Sequence, residues 1–246
     1  MSVACSVIVI TRNEEGNIAD CLAGASWADE IVVVDAGSSD KTVEIARRYT
    51  PHVHVVPWRG FSAAKSEALR LAKHEWVFWL DADERIGAEL AAEISSAVAG
   101  NGEPVAYEMA RRAYFLGKWI RHSGWYPGYV VRLFRRSRAR FSDAQVHERL
   151  LVEGSIGRFR NDLLHYTDET LYHYFRKFNS YTSLAAEELA AGGTRVSLSD
   201  VVVRPAYMFF KMYILKKGFL DGMHGFILAL LSSAYVFCKY AKLANY

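Results

Sequence analysis

Several features that mark other classes of protein are missing from this chain of 246 residues. The N-terminus has no basic segment, long apolar run or cleavage site, so we expect no signal peptide. The three cysteines, Cys5, Cys21 and Cys238, are odd in number and lack a metal-binding spacing. We therefore expect them to be reduced residues in the core of a cytosolic protein. The net charge of +3 is too small a basic excess to indicate a nucleic-acid-binding protein.

Two glycine-rich phosphate-binding motifs are also missing. The segment after the second predicted strand reads GSSD, which is not G-x-G-x-x-G, and the sequence has no Walker A motif. It has no internal repeat and no low-complexity tract either. Apolar residues, by contrast, make up 51% of the chain, which is enough to bury a large core and to exclude a disordered protein.

Strands and helices alternate over the first hundred residues. Continuous apolar runs predict buried strands, and helical periodicity or alanine-rich composition predicts the segments between them. The predicted strands are 3–10, 30–35, 52–56 and 76–80, and the predicted helices are 18–25, a segment capped by Asp40, 62–73 and 87–100. This alternation predicts an α/β fold with a parallel sheet and right-handed crossovers.

After the first hundred residues the pattern changes to short β-like segments, and from Leu171 the chain reads as helix nearly to its end. We therefore predict two domains, residues 1–166 and a helical region, residues 167–246. The stretch from Gly222 to Cys238 carries no formal charge, and its length is at the lower limit for a membrane span. Nearby lysines beside aromatic residues suit an anionic bilayer surface. Three interpretations stay open: a helix at the membrane interface, a helix packed in the core or against another subunit, and a true span.

Polar residues cluster after three of the predicted strands. Ligands of open α/β sheets bind outside the carboxyl ends of the strands, so these positions are candidates for a binding site. They are Thr11 to Glu14 after the first strand, Asp35 to Asp40 after the second, and Asp81 to Glu84 after the fourth. Acidic residues are also common in ordinary surface loops, but their recurrence after three strands favours a binding edge.

Asp81 and Asp83 end the fourth predicted strand, with only Ala82 between them. In an extended turn both carboxylates can approach one ion. Mg²⁺ and Mn²⁺ prefer oxygen ligands and keep open positions for substrate phosphates. Because the glycine-rich motifs are missing, we expect a divalent cation to bind the phosphates of a nucleotide diphosphate here.

The chain resembles family 2 glycosyltransferases of the GT-A fold. The resemblance is carried by SVIVITRNEEGNI, EIVVVDAGSSDKTVEIA and WVFWLDADERI, which occur in the right order and spacing. D-x-D alone is a weak signal, whereas the three segments together are specific. A closer resemblance, to bacterial lipopolysaccharide-core glycosyltransferases of the β-1,4-glucosyltransferase type, rests on GWYPGYVVRLFRR, AQVHERL and LLHY. It implies a nucleotide-sugar-binding α/β domain with a mostly parallel sheet flanked by helices.

The resemblance implies a nucleotide site at the first two strand ends. Thr11, Asn13 and Glu14 would lie along the uridine and its ribose, and Asp35 would accept a hydrogen bond from the uracil ring. Lys65, on the helix predicted for 62–73, is a candidate phosphate contact. A solvated helix face explains a lysine at that position equally well.

The resemblance also implies a metal site. Asp81, with Ala82 beside it, would lie near the ribose and the water shell of the metal, and Asp83 would ligate the metal directly. His165 matches the histidine that completes this site late in the fold, although a satisfied core histidine is the alternative. Arg132 would face the diphosphate or an anionic acceptor.

Glu148 occupies the position of the general base in the resemblance. An acceptor hydroxyl that attacks an anomeric carbon needs a carboxylate within hydrogen-bond reach to take its proton. A cation offsets the charge that develops on the departing diphosphate. A single displacement of this kind inverts the anomeric centre. The alternative is that Glu148 only pairs with a neighbouring arginine at the surface.

These observations lead to one hypothesis with two alternatives. The hypothesis is an inverting glycosyltransferase, dependent on Mg²⁺ or Mn²⁺, that transfers a hexose from a UDP-hexose such as UDP-glucose to a lipopolysaccharide core or another lipid-linked glycan. We expect it in the cytoplasm, at the inner face of the cytoplasmic membrane, either alone or as a homo-oligomer. The alternatives are a non-catalytic nucleotide- or lipid-binding module of the same fold and a nucleotidyltransferase. The acidic segment TRNEEG after the first strand disfavours a nucleotidyltransferase, since those enzymes have a basic, glycine-rich loop there.

Overall fold

A computed structural model describes residues 3–100, 102–142 and 150–246 of the chain. The chain divides into two compact units, Met1–Arg111 with Tyr129–His165, and Arg112–Gly128 with Tyr166–Tyr246. The predicted domain division at residue 166 remains a prediction. By compactness, the helical unit also includes the segment 112–128.

Four parallel strands and four helices alternate through the first hundred residues. The strands are β1 (Val3–Thr11), β2 (Ala28–Asp35), β3 (Val53–Val55) and β4 (Trp76–Asp81), and the helices are α1 (Ile18–Gly24), α2 (Thr42–Ala46), α3 (Phe61–Leu71) and α4 (Ala88–Ala99). The strands lie in the order β3-β2-β1-β4, and each neighbouring pair is parallel. The predicted α/β fold class with a mostly parallel sheet is confirmed.

The later strands mostly extend this sheet, and most of their described pairs are antiparallel. They are β5 (Glu84–Arg85), β6 (Ala106–Phe115), β7 (Lys118–Trp119), β8 (Gly128–Arg135), β9 (Ala139–Phe141), β10 (Leu150–Val152), β11 (Ile156–Arg158) and β12 (Leu163–Asp168). Strand β8 pairs antiparallel with β4, and β12 pairs antiparallel with β5. Strands β9 and β10 form a separate antiparallel pair.

The central strand β1 is buried on both faces of the sheet. Val7 and Val9 belong to a core that includes residues of α1 and α4, whereas Ile8 belongs to a second core that includes residues of α3. A strand covered on both faces has no polar side to expose, which explains its continuous apolar run. Cys5 and Cys21 lie fully buried in the first core as free thiols.

One predicted helix end differs from the structure. Asp40 is not the N-cap of α2, because the helix begins at Thr42 and Lys41 precedes it. The Asp40 carboxylate instead accepts a hydrogen bond from the backbone N–H of Thr42, at 3.0 Å, and one from its hydroxyl. A local polar contact therefore replaces the expected cap. Helix α4 ends before Gly100, which is extended, with φ −78° and ψ 144°.

The second unit contains three helices, where the sequence suggested nearly continuous helix. These are α5 (Leu171–Ala191), α6 (Leu198–Phe210) and α7 (Met223–Leu243). A π-helical turn, Lys211–Leu215, and a 3-10 turn, Gly218–Asp221, connect α6 to α7. The interruptions coincide with left-handed residues that an α-helix cannot include, Gly193 at φ 70° and Lys217 at φ 55°.

Candidate functional site

The register of the parallel strands aligns the ends that carry the candidate residues. Thr11 at the end of β1 lies opposite Asp35 at the end of β2. On the other side of β1, Ile10 lies opposite Asp81 at the end of β4. The three polar strand ends predicted from the sequence therefore meet at one edge of the sheet in the first unit.

Asp35 is fully buried and organises the loop that follows it. Its carboxylate accepts hydrogen bonds from the backbone N–H groups of Gly37 and Ser38, at 3.0 and 2.8 Å, and from the Ser38 hydroxyl. Gly37 has φ 80°, a left-handed conformation that favours glycine. An ionised carboxylate has about four lone-pair positions. The loop uses three of them, and the described residues place no donor on the fourth.

The loops after β1 and β2 are hydrogen-bonded to each other. Asn13 is left-handed, with φ 56°, and its backbone N–H donates to the Ser38 hydroxyl at 2.8 Å. The Asn13 side-chain oxygen accepts from the backbone N–H of Ser39, also at 2.8 Å. The backbone N–H of Glu14 donates to the Thr42 hydroxyl at 2.8 Å. These contacts fix Asn13 and Glu14 relative to Asp35, so the two loops form one polar surface.

Thr11 presents a hydroxyl without a partner at the same edge. The residue is 5% exposed, and in the described part of the chain its Oγ1 makes no hydrogen bond. A buried hydroxyl that is left unpaired is costly, since it has lost its hydrogen bonds to water. A bound ligand that offered a polar group to Thr11 would remove that cost.

Asp81 belongs to a buried network built around Arg132. One guanidinium nitrogen of Arg132, Nη2, donates to Asp81 Oδ2 at 2.6 Å and to Glu84 Oε1 at 2.7 Å. Glu84 also accepts the backbone N–H of Asp81, at 3.1 Å. Arg132 is 3% exposed and Glu84 is fully buried. The contacts of Arg132 therefore hold the Asp81 turn, while the predicted contact with a diphosphate stays a prediction.

The charges in this network change one another's ionisation. Burial raises the pKa of Asp81, but the positive charges of Arg132 and Lys65 outweigh that effect and hold the pKa below its ordinary value. Burial also raises the pKa of Glu84, and the nearby Asp81 adds to the rise while Arg132 opposes it, so the net shift is upward. Burial lowers the pKa of Arg132, but the two carboxylates raise it by more, so the net shift is upward. Arg132 is therefore always charged.

Trp79 is a site residue that the sequence did not single out, and Glu84 lies in a candidate segment but was given no role of its own. The indole Nε1 of Trp79 donates to Asp81 Oδ1 at 2.9 Å. The guanidinium carbon of Arg132 lies 3.9 Å, and Lys65 Nζ 3.8 Å, from the centroid of the Trp79 ring. Two cations against one indole are a strong cation–π arrangement. An aromatic residue two positions before Asp81 was the available signal for Trp79, and the acid that follows D-A-D was the signal for Glu84.

Lys65 does not lie on a solvated helix face, so that alternative is wrong. The residue is 4% exposed, and its ammonium packs on Trp79 beside the Asp81 network. A buried lysine next to carboxylates contributes a positive charge to the site. Its predicted contact with a phosphate stays a prediction.

Asp83 and His165 are brought together by the pairing of β5 with β12, which places His165 opposite Glu84. Asp83 Oδ2 lies 3.4 Å from His165 Nε2, and the side chains are 18% and 13% exposed. His165 Nδ1 is buried and makes no hydrogen bond within the described residues, so His165 is not a fully satisfied core histidine. Ala82, in the turn before Asp83, is 6% exposed.

The pair of Asp83 and His165 fits a metal only as a partial coordination sphere. Among the described residues, no three His, Cys, Asp or Glu side chains are grouped closely enough to hold an ion. One carboxylate and one imidazole suit Mn²⁺ or Mg²⁺ when substrate phosphates and water supply the other ligands. Such a site binds metal and nucleotide together. Glu148, the predicted general base, lies outside the described residues, so its role also remains a prediction.

Comparison with known proteins adds independent findings. Residues 6–153 match the family model described as glycosyl transferase family 2. Lipopolysaccharide core biosynthesis glycosyltransferase LpsC of Rhizobium meliloti is 31% identical over 250 residues, which cover 97% of this chain and 91% of that protein. Uncharacterized glycosyltransferase RT0209 of Rickettsia typhi is 27% identical over 250 residues, with 97% and 86% covered.

Among solved structures, residues 1–349 of S. aureus TarS in complex with UDP-GlcNAc share 17% sequence identity with this chain. The alignment covers 96% of this chain and 82% of that one, with a TM-score of 0.49.

Proposed function

The chain belongs to glycosyl transferase family 2, and we propose that it transfers a hexose from a UDP-hexose to a lipid-linked saccharide with inversion at the anomeric carbon. The observation that carries the proposal is the alignment of Thr11 with Asp35 and of Ile10 with Asp81, next to the pair of Asp83 and His165. This edge combines a polar nucleotide surface with two candidate metal ligands.

The acceptor is proposed from the relative whose name states a biosynthetic pathway. LpsC of Rhizobium meliloti is named for lipopolysaccharide core biosynthesis and aligns over 97% of this chain. A lipopolysaccharide core or a similar lipid-linked glycan is therefore the acceptor class that we favour, with UDP-glucose as the first donor to test. Such an acceptor is made at a membrane, so we place the enzyme in the cytoplasm, at the inner face of the cytoplasmic membrane.

In this proposal, different residues bind different parts of the UDP-hexose donor. The loop of Asp35 has one free acceptor position for an N–H of the uracil ring. Asn13 and Glu14 are fixed beside it and suit the ribose. The buried Thr11 hydroxyl supplies a further polar contact. Binding through several preorganised groups orients the donor, so little ordering is left to occur when it binds.

Asp83 and His165 would hold the divalent cation, Mg²⁺ or Mn²⁺. When bound, the cation offsets negative charge on the diphosphate leaving group. Lys65 and Arg132 add two fixed positive charges beside the Asp81 turn. These charges favour an anionic ligand at the same edge of the sheet.

Transfer itself requires one bond to form and one to break. The acceptor oxygen attacks the anomeric carbon, and the bond from that carbon to the diphosphate oxygen breaks, so that its electron pair leaves with UDP. The proton of the acceptor hydroxyl passes to the carboxylate of Glu148, which acts as general base. Attack opposite to the leaving group inverts the configuration of the sugar.

The proposal is tested by the release of UDP from UDP-glucose, with a lipid-linked saccharide extract as acceptor and Mn²⁺ present. We expect acceptor-dependent UDP release that is abolished by chelation of the metal and by Glu148→Gln. Glu103→Gln, which changes an exposed carboxylate outside the candidate site, serves as the matched control and should retain activity. Binding of UDP without turnover under any donor and acceptor would indicate a non-catalytic module instead.

A further inference from the structure

The connection between α6 and α7 exposes an unusual number of large apolar side chains. We call the segment Phe210–Met223 the apolar wedge. Its exposed apolar residues are Phe210, Ile214, Leu215, Phe219, Leu220 and Met223, with exposures of 44 to 68%. Exposed large apolar side chains that are concentrated in one segment mark a site that binds another apolar surface, a protein or a membrane.

The apolar wedge is a packed structure and not a frayed helix end. Within the wedge, Met212, Gly218 and Asp221 are buried. The Asp221 carboxylate accepts the backbone N–H groups of Arg121 and His122, at 3.2 and 2.8 Å. An ideal Cβ on Gly225 would lie only 1.9 Å from the carbonyl oxygen of Gly218, so the start of α7 lies directly against the 3-10 turn. The exposed side chains are therefore held in place from below.

The exposed charged residues of the apolar wedge are all positive. From residue 201 to the end of the sequence the only acidic residue is Asp221, and the buried contacts above occupy it. Lys211, Lys216 and Lys217 lie within the wedge and are exposed. Three exposed cations interspersed with apolar side chains complement a surface that is both apolar and negatively charged. An anionic bilayer has this combination of properties at its headgroup boundary.

Helix α7 meets the length and composition of a membrane span, with 21 residues and a mean hydropathy of 1.4. Its packing in the second unit argues against a span. Polar contacts hold it to the neighbouring helices: the Ser233 hydroxyl donates to the Pro205 carbonyl of α6 at 2.8 Å, and Lys242 Nζ donates to the Asn179 carbonyl of α5 at 2.9 Å. Helix α5 includes the charged residues Glu187 and Glu188. A helix joined by polar contacts to two neighbouring helices is a component of a bundle.

We propose that the apolar wedge, and not helix α7 as a span, inserts into the headgroup region of an anionic bilayer. The apolar side chains of the wedge enter the boundary between headgroups and acyl chains, a depth of about 5–10 Å. Lys211, Lys216 and Lys217 contact lipid phosphates at the same level. The inference deepens the proposed function, on which its biological meaning rests, because a lipid-linked acceptor lies at this boundary.

The test is sedimentation of the full-length protein with lipid vesicles. Vesicles of phosphatidylcholine mixed with phosphatidylglycerol should bind the protein, and vesicles of phosphatidylcholine alone should bind it at least about tenfold more weakly. Phe219→Ser with Leu220→Ser removes two exposed apolar side chains and should weaken binding to the mixed vesicles by at least about tenfold. Lys216→Glu with Lys217→Glu should weaken that binding by at least about tenfold too.

Matched controls come from the first unit. Val55→Ser with Ile156→Ser removes two apolar residues of similar exposure, 54% and 48%, and should leave vesicle binding unchanged. Arg47→Glu with Arg48→Glu makes the same change in net charge as the lysine variant. Salt screens charges that do not contact the bilayer, so this control should weaken vesicle binding less than about threefold. Equal losses in the control variants would overturn the proposal, since binding would then be non-specific.

The oligomeric state separates the membrane from a second copy of the chain. If the apolar wedge is an interface between copies, Phe219→Ser with Leu220→Ser will convert an oligomer to a monomer in analytical ultracentrifugation without a loss of vesicle binding, and the proposal fails. Extraction of the native protein from membranes with alkaline carbonate should release it, and retention would favour a span. The wedge variants should still release UDP with a water-soluble acceptor, so failure of the membrane proposal is distinguishable from failure of the enzyme proposal.

Discussion

Replacement of Arg132 by methionine removes the cation that two buried carboxylates share. In the native structure Arg132 Nη2 lies 2.6 Å from Asp81 Oδ2 and 2.7 Å from Glu84 Oε1. Methionine retains much of the apolar contact with the Trp79 ring, so the lost interaction is mainly that of the charge and its hydrogen bonds. Removal of one partner from a buried ion pair costs about 3–5 kcal/mol of unfolding free energy, because it leaves an uncompensated charge.

That loss corresponds to a decrease in Tm of about 6–20 °C for a chain of this size, measured by differential scanning fluorimetry without ligand. Arg140→Met, at an exposed arginine, is the matched control and should change Tm little. Arg132→Lys should fall between the two, because lysine keeps the charge but not the planar geometry of the guanidinium.

A double variant tests the reason for the effect. Glu84→Gln removes one of the two negative charges that Arg132 balances, so Arg132→Met with Glu84→Gln should lose less than the sum of the single losses. Residues in direct contact couple by about 0.5–3 kcal/mol. A loss in Arg132→Met no larger than that of the Arg140 control, or strict additivity with Glu84→Gln, would refute the reasoning.

Two further predictions concern stability. Glu30→Gln should lower the unfolding free energy by about 1–3 kcal/mol, since the buried Glu30 carboxylate accepts the Lys73 N–H at 2.8 Å. Burial raises the Glu30 pKa, but the hydrogen bonds and Lys73 lower it below 4.5, so wild type and variant should converge in urea titrations as pH falls through that lowered value; a difference constant with pH would contradict this. Gly225→Ala should cost about 1–3 kcal/mol by overpacking against Gly218, whereas Gly16→Ala, with open space around it, should not; equal melting temperatures for the two glycine variants would contradict the packing.

The sequence was sufficient to predict those strands and helices of the first unit that have a single hydrophobic period or a single dominant composition. The apolar run of β1 is buried on both faces of the sheet, as predicted. Only burial on both faces removes so many consecutive apolar side chains of a strand from water. The start of α2 was harder to predict from the sequence. Asp40 is a good N-cap residue by type, but its carboxylate bonds to the N–H of Thr42 from outside the helix, and only the path of the loop decides between these roles.

The candidate site was predictable in its strand ends but not in its support. Asp35 and Asp81 end apolar strands, and the register of the sheet brings these strand ends to one edge. The link from Arg132 to Asp81 joins residues 51 positions apart through the pairing of β8 with β4, which no local pattern reveals. The break in the C-terminal helices was missed for a similar reason, because Lys217 adopts its left-handed conformation within tertiary packing that the local sequence does not signal.

The central claim is that Asp83 and His165 bind a divalent cation together with the diphosphate of UDP. The measurement is the shift in Tm caused by UDP with Mn²⁺, with chelator instead of Mn²⁺, and in the Asp83→Ala variant. A ligand at a hundred times its Kd stabilises a protein by about 2.7 kcal/mol. The account predicts a clear increase in Tm with UDP and Mn²⁺ together, and none with chelator or in Asp83→Ala. Stabilisation by UDP that is equal with and without metal, and unchanged in Asp83→Ala, would contradict it.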